Sequence, residues 1–322
     1  MQRVILTRQS NRGPTVFSRF TRAAACFSFL VSIWVHPVHA TECDNYQSAH
    51  PAWLWCDSFE SDTAIDANYF DVNRANGRMS LSTNSPFDGS HSLQMEYDTG
   101  QVDSGGIKLS LGATPVAPKR YTSQKFDELY WRFYMKTSSN WIGQPMKVTR
   151  AVVFAGSNWS EAAIGHLWED TETSLGLGLD PVSGVVGSTV VTTKYNDFAN
   201  MTWLGKHNGA FQMYAPDNRN KWTCIEVHMK LNTPGKADGV LAFSVNGQQQ
   251  AQGTNLNFRG SYTTYGINGI FLEGWINSGA PQLQYRWFDN FVVSTQPIGC
   301  AAAGGATPTA TVPNPPTNVT VQ

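Results

Sequence analysis

Residues Glu128–Lys136 read ELYWRFYMK, with Leu129, Trp131, Phe133 and Met135 at one parity and Tyr130, Arg132, Tyr134 and Lys136 at the other. Successive side chains of a strand point to opposite faces, so this segment must lie in a sheet with one face on an apolar core. The pattern recurs in Trp222–Leu231, where Ile225, Val227, Met229 and Leu231 alternate with Cys224, Glu226, His228 and Lys230. That strand runs into the turn-rich Asn232–Gly239 and returns as Val240–Asn246, a hairpin. Ser92–Tyr97, Lys147–Ala155, Ala162–Trp168, Ile267–Trp275 and Leu283–Ser294 are further strands. Helical periodicity is scarce, so the chain is predicted to be all-β, a two-sheet antiparallel β-sandwich of jelly-roll type. Charged residues make up 15% of the 322, against roughly 25% in an average soluble domain, and aromatics 12%. This balance excludes a coiled coil, a collagen-like fibre and a nucleic-acid binder driven by bulk positive charge.

The near-neutral formal charge of −1 hides an asymmetry. The first 40 residues hold five arginines (Arg3, Arg8, Arg12, Arg19, Arg22) and no acid, followed by the apolar run Ala23–Val35 and the small-residue site Val38-His39-Ala40. This reads as a signal peptide over 1–40, too short in its apolar part to span a bilayer. Without it the chain carries 18 Lys and Arg against 24 Asp and Glu, a net charge of −6. No other apolar stretch is long enough to cross a membrane, so a secreted protein, extracellular or periplasmic, is expected. Four cysteines remain, an even count that favours two disulfides in an oxidising compartment. Of the three possible pairings we expect Cys43–Cys56, closing a short N-terminal loop, and Cys224–Cys300, tying the end of the domain to a mid-chain strand. Beyond Cys300 the composition turns to Ala, Gly, Thr and Pro, so 41–300 is read as one domain and 301–322 as a linker or tail. Pro315–Val321 resembles the opening strand of a fibronectin type III module.

Four segments together resemble the concanavalin A-like jelly rolls: Cys56-Asp57-Ser58-Phe59-Glu60, the strand ELYWRFYMK, the hairpin LNTPGKADGVLAFSVNG and the closing Trp287-Phe288-Asp289-Asn290-Phe291-Val292-Val293. Among these the chain looks closest to secreted bacterial polysaccharide-lyase-like proteins, the group that includes alginate and glucuronan lyases. The resemblance covers most of Cys56–Cys300 and implies an enzyme that cleaves an acidic polysaccharide by β-elimination, acting as a monomer without a catalytic cofactor. The same scaffold also carries lectins and hydrolases. The Gln-x-His and Tyr-Phe-Lys-x-Gly-x-Tyr-x-Gln strands of alginate lyases are absent, and Gln144–Val148 stands where another lyase family has Gly-Gly-Lys-Leu-Pro-Gly.

Elimination needs a group that neutralises the uronate carboxylate, a base for the C5 proton and an acid for the leaving oxygen. The stripe Tyr130, Arg132, Tyr134, Lys136 offers rings and cations on one strand face, either as a sugar platform or as an ordinary outer face. On this reading Arg132 is the neutraliser, His166 or Tyr134 the base, and Tyr130 or Tyr134 the acid. Lys136, Lys147 and Arg150 would hold uronates, although Lys147 and Arg150 fall on opposite faces of their strand unless a bulge intervenes. His166 shares a face with Ile164 and Trp168, as either a buried hydrogen-bonded residue or a base. Glu273 beside Trp275 is the one acid in a sugar-binding setting. A hydrolase would need a second carboxylate in reach, and the Glu-x-Asp-x-Glu strand of jelly-roll glucanases is missing. Non-catalytic binding would instead use Trp141, Trp159, Trp203 and Trp275 as platforms. Pairing of the first and last strands, usual in such jelly rolls, would bring Asp57 and Glu60 near Asp289, either as a structural Ca²⁺ site or as turn caps.

Overall fold

The computed structural model describes residues 41–169 and 175–301, together with Gly13. Apart from Gly13 and Ala301, the leader expected over 1–40 and the tail over 301–322 lie outside the described residues. In chain order the strands are β1 (Trp53–Asp57), β2 (Asp71–Asn73), β3 (Met79–Ser82), β4 (Ser92–Tyr97), β5 (Asp103–Ser110), β6 (Glu128–Thr137), β7 (Met146–Phe154), β8 (Glu161–Glu169) and β9 (Leu177–Ser183). They continue as β10 (Val185–Val186), β11 (Thr189–Val190), β12 (Thr202–Trp203), β13 (His207–Asn208), β14 (Thr223–Lys230), β15 (Gly239–Val245), β16 (Gln248–Leu256), β17 (Gly269–Ile276) and β18 (Gln284–Ser294). Two short helices, α1 (Tyr46–Ala49) and α2 (Asp62–Asn68), complete the regular structure with two 3₁₀ turns.

Two antiparallel sheets of eight strands face each other, as the alternation predicts. The back sheet runs β16-β15-β14-β6-β18-β4-β3 with β1 also on β18, and the front sheet runs β12-β9-β8-β7-β17-β5-β2 with β13 also on β9. Leu129, Trp131, Phe133 and Met135 of β6 point between the sheets and are wholly buried with Ile225, Val227 and Met229 of β14. Burying a ring system the size of Trp131 contributes roughly 4–6 kcal/mol as an upper figure. Its Nε1–H donates to Thr149 Oγ1 at 2.9 Å, and that hydroxyl donates to Phe271 O at 2.6 Å, so one chain of hydrogen bonds crosses from the back sheet into β7 and β17.

The other face of β6 is also covered. Disulfides Cys43–Cys56 and Cys224–Cys300 form as expected, and they fold residues from both ends of the domain onto the back sheet. Arg132, fully buried, is paired with Glu42 at 2.7 Å and lies 5.8 Å from the Trp53 ring. Tyr134 stacks on Phe87 at 3.7 Å and donates its hydroxyl to Ala301 O at 3.0 Å. Tyr130 stacks on His228 at 4.2 Å, and Lys136 lies 5.9 Å from the Trp287 ring. The stripe therefore shares one face, as its parity requires, but Arg132 and Tyr134 on it are covered rather than open. Alternation fixes which side chains share a face; the two disulfides decide whether the chain returns across it.

Candidate active site

Two adjoining cavities open on the front sheet, and cross-strand register builds their floor in two rows. Asp103 of β5, Trp275 of β17, Lys147 of β7 and Trp168 of β8 are successive partners across the sheet. The next row holds Lys108, Phe271, Arg150, His166 and Asp180. Lys147 and Arg150 can both stand here because β7 carries an irregularity between Lys147 and Thr149, where β8 advances only from Trp168 to Leu167. The extra residue resets the parity, so the bulge brings together two cations that strict alternation would separate. From beneath, the buried Arg286 donates to Lys147 O at 3.3 Å and also to Glu273 O, which fixes the backbone of both irregular strands.

Arg150 is the hub of the floor. It is wholly buried and donates through Nη1 to Asn196 Oδ1 at 2.6 Å, and through Nη2 to Glu273 Oε1 at 2.6 Å and to the Tyr195 hydroxyl. Burial opposes its charge, but Glu273, followed by Tyr195 and Glu161, holds its pKa above the ordinary arginine value. Tyr195 and Asn196 come from the segment after β11. This segment is anchored by Asp197 Oδ2, which accepts from Thr193 N and Asn200 Nδ2, and by Glu161, which accepts from Asn196 N at 2.8 Å. Asn196 adopts φ 54°, a left-handed conformation that asparagine tolerates better than most side chains. With Oδ1 committed to Arg150, its amide Nδ2 is left as a donor.

Lys147, Tyr195, Asn196, Glu273 and Trp275 line one cavity of about 310 Å³, together with Asn73, Asp103 and Lys108. Lys147 makes no hydrogen bond to another described side chain, and its Nζ lies 5.4 Å from the Trp275 ring. Burial pushes its ammonium below the ordinary lysine value, with Glu273 pulling in the opposite direction. The Tyr195 phenol is pushed up by burial, with Arg150 opposing. An adjoining cavity of about 320 Å³ shares Lys147 and is lined by Met146, Trp168, Asp180, Phe198, Trp203 and Lys206, among others. The tryptophans at the two cavities, Trp275 and Trp203, are 40% and 44% exposed.

His166 stands on the front sheet, away from Arg132 and Tyr134, so the expected convergence of these three does not occur. Its ring is wholly buried against Trp168 at 4.1 Å and lines neither cavity. Nδ1 lies 2.9 Å from Asp180 O, which can only accept, so Nδ1 carries the proton. Burial, then the Arg150 charge, holds the ring well below the ordinary histidine pKa, so Nε2 stays unprotonated. Of the residues singled out from the sequence, the structure gathers Lys147, Arg150, Glu273 and Trp275 in the groove. Tyr130, Arg132, Tyr134 and Lys136 belong to the opposite sheet. Trp141 is buried against Tyr97, and Trp159 packs among Phe70, Phe154 and Tyr195, so neither is an open platform. Tyr195 and Asn196 escape sequence reading because they lie in an irregular segment with no periodicity, although such segments on a rigid sheet often carry function.

β1 pairs with β18, as the resemblance implies. Asp57 accepts from Phe59 N and the Tyr69 hydroxyl. Glu60 Oε1 accepts from Ser90 N and His91 N, and Asp289 from Phe87 N and Asn290 N. Glu60 and Asp289 thus reach one loop, whereas Asp57 turns to Tyr69. Among the described residues no three His, Cys, Asp or Glu side chains are grouped to hold a metal ion.

No protein-family model matches this chain, and no curated protein does. Solved structures do match. The marine alginate lyase from Aplysia kurodai superposes with TM-score 0.52 at 18% identity, covering 76% of this chain and 99% of that one. The endo-β-1,4-glucuronan lyase of the fungus Trichoderma reesei also superposes with TM-score 0.52, at 13% identity over 76% of this chain and 96% of its own. The fold is therefore the jelly roll of these polysaccharide lyases. The two disulfides are compatible with an extracellular protein. Among the described residues no helix is long and apolar enough to cross a membrane.

Proposed function

We propose that the protein is a secreted polysaccharide lyase that cleaves an acidic polysaccharide by β-elimination in the front-sheet groove. One observation carries the reading: a lysine with lowered pKa, a high-pKa tyrosine and an asparagine amide backed by a buried arginine line one cavity. Asn196 Nδ2 binds the uronate carboxylate, with the Arg150 charge behind it stabilising the enolate that forms. Neutral Lys147 takes the C5 proton, the C4–O4 bond breaks as the C4–C5 double bond forms, and Tyr195 donates its proton to the leaving oxygen. Tyr195 is suited to that role because its oxygen already accepts from Arg150, which leaves its own proton free. Arg150 takes over the neutralising part that the sequence assigned to Arg132, and Lys147 the base that it assigned to His166 or Tyr134.

Hydrolysis is less well supported, since the acids of this cavity are committed: Glu273 to Arg150, and Asp103 to Asn73 Nδ2 and Gly105 N. The test is incubation of the pure protein with a panel of acidic polysaccharides while absorbance is followed at the unsaturated-uronate band. A rise that Lys147→Met abolishes supports the lyase. Binding with neither new absorbance nor new reducing ends would instead make the protein a lectin, and new reducing ends without absorbance a hydrolase.

We also propose a structural Ca²⁺ held by Glu60 and Asp289. Burial, with Asp88 and Glu60 adding, pushes the Asp289 carboxyl well above its ordinary value, so a cation there would relieve a crowded set of acids. Asp88 Oδ1 and Asn290 Oδ1 are buried there without hydrogen-bond partners. Oxygen ligands of this kind suit Ca²⁺. Asp57 takes no part.

A further inference from the structure

The groove has two unlike halves that meet at Lys147. One is polar, lined by Asn73, Asp103, Lys108, Tyr195 and Asn196. The other is a box of rings. Trp203 lies 5.5 Å from Phe198 and 6.1 Å from Trp168 between ring centres, and it is the most exposed of the three. Rings of this kind accept the C–H face of a pyranose by apolar contact, which requires no charge on the sugar.

The aromatic half is lined by two acids, Asp180 and Glu169, and by Lys206, with Lys147 at the edge it shares with the polar half. Asp180 faces into it from β9, opposite His166 in register. Burial pushes Asp180 up to about 6, with Lys206 opposing, so at neutral pH it is an anion whose counter-charge is Lys206. His166, beneath the box, is neutral. A uronate placed here would bring its carboxylate beside Asp180, and like charges in a partly buried cleft repel.

We infer that the aromatic half binds an uncharged sugar, so that the substrate is a heteropolysaccharide in which a neutral residue adjoins the uronate bound in the polar half. The uronate part rests on the lyase reading above, whereas the neutral-sugar part rests on Trp168, Phe198, Trp203 and Asp180 alone.

Calorimetric titration of cellotetraose and of a β-1,4-linked tetraglucuronate into the wild type, Trp203→Ala and Asp180→Asn at neutral pH tests it. Trp203 is exposed, so its replacement leaves folding intact. Cellotetraose binds the wild type and weakens roughly tenfold in Trp203→Ala, the loss of about one aromatic contact. Tetraglucuronate gains affinity several-fold in Asp180→Asn. Failure of cellotetraose to bind, binding indifferent to Trp203, or tetraglucuronate binding more tightly through Trp203 than cellotetraose does would each overturn the inference. In parallel, the wild type should release more unsaturated product from a polymer alternating uronate with a neutral sugar than from a homopolyuronate; the reverse order also overturns it. If no polymer yields unsaturated product, the lyase reading fails, and the binding experiment still judges the neutral-sugar site on its own.

Discussion

Glu273→Gln is the sharpest probe of the groove floor. The Arg150 and Glu273 side chains are 0% and 11% exposed and meet at 2.6 Å, and Arg150 has no other carboxylate within ion-pair distance among the described residues. An uncharged amide in place of Glu273 leaves the guanidinium buried without its counter-ion. Removing one partner of a buried pair costs roughly 3–5 kcal/mol, mainly through the charge left behind. For a domain of this size that lowers the melting midpoint by roughly 6–20 °C. The assay is urea denaturation followed by tryptophan fluorescence, with calorimetry for the midpoint. The double variant Arg150→Met/Glu273→Leu removes both charges and should be more stable than Glu273→Gln, because no buried ion remains. Activity separates the two consequences: the double variant regains stability but not turnover, since Asn196 and Tyr195 have lost the group that orients them. A loss below about 1 kcal/mol in Glu273→Gln, within the range of exposed pairs, would refute the reasoning by showing that water reaches Arg150.

Lys147→Met and Tyr195→Phe should each lower turnover by roughly 10²–10⁴-fold with the denaturation midpoint little changed, and full activity in either variant refutes its assigned role. With Lys147 as the proposed base, the wild-type rate should rise with pH up to its lowered pKa, and a rate that falls across that range argues against it as base. Glu161 is pushed up to about 7 by burial from an ordinary 4.5, so the folded chain binds its proton more tightly than the unfolded one. Its contribution is fully present below about 4.5 and is lost as pH rises through about 7, and Glu161→Gln should flatten that part of the stability curve. Replacing Cys224 and Cys300 together by alanine opens a loop closed over 76 residues and should cost about 4 kcal/mol, measured by denaturation, and a change below about 1 kcal/mol would sink that account. Chelator should lower the melting midpoint and added Ca²⁺ restore it; an unchanged midpoint removes the proposed ion.

The strands were legible in the sequence because the period-two signal is local. Glu128–Lys136 and Ser92–Tyr97 lie within or coincide with β6 and β4, and of the three possible cysteine pairings the expected one forms. Lys147, Arg150, Glu273 and Trp275 were also readable as polar or aromatic residues on strands. The tertiary structure decided which sheet carries the site. Nothing in ELYWRFYMK tells that Glu42, Phe87 and Ala301 return to cover Arg132 and Tyr134, since those contacts span from 47 to 167 residues of chain and depend on the cross-links at both ends. Likewise a single inserted residue near Val148 reverses the parity that separates Lys147 from Arg150, and the hydrophobic pattern does not encode it. A sequence read by period determines the faces of each strand; packing of one layer on another, with the bulges that packing tolerates, determines which face stays open.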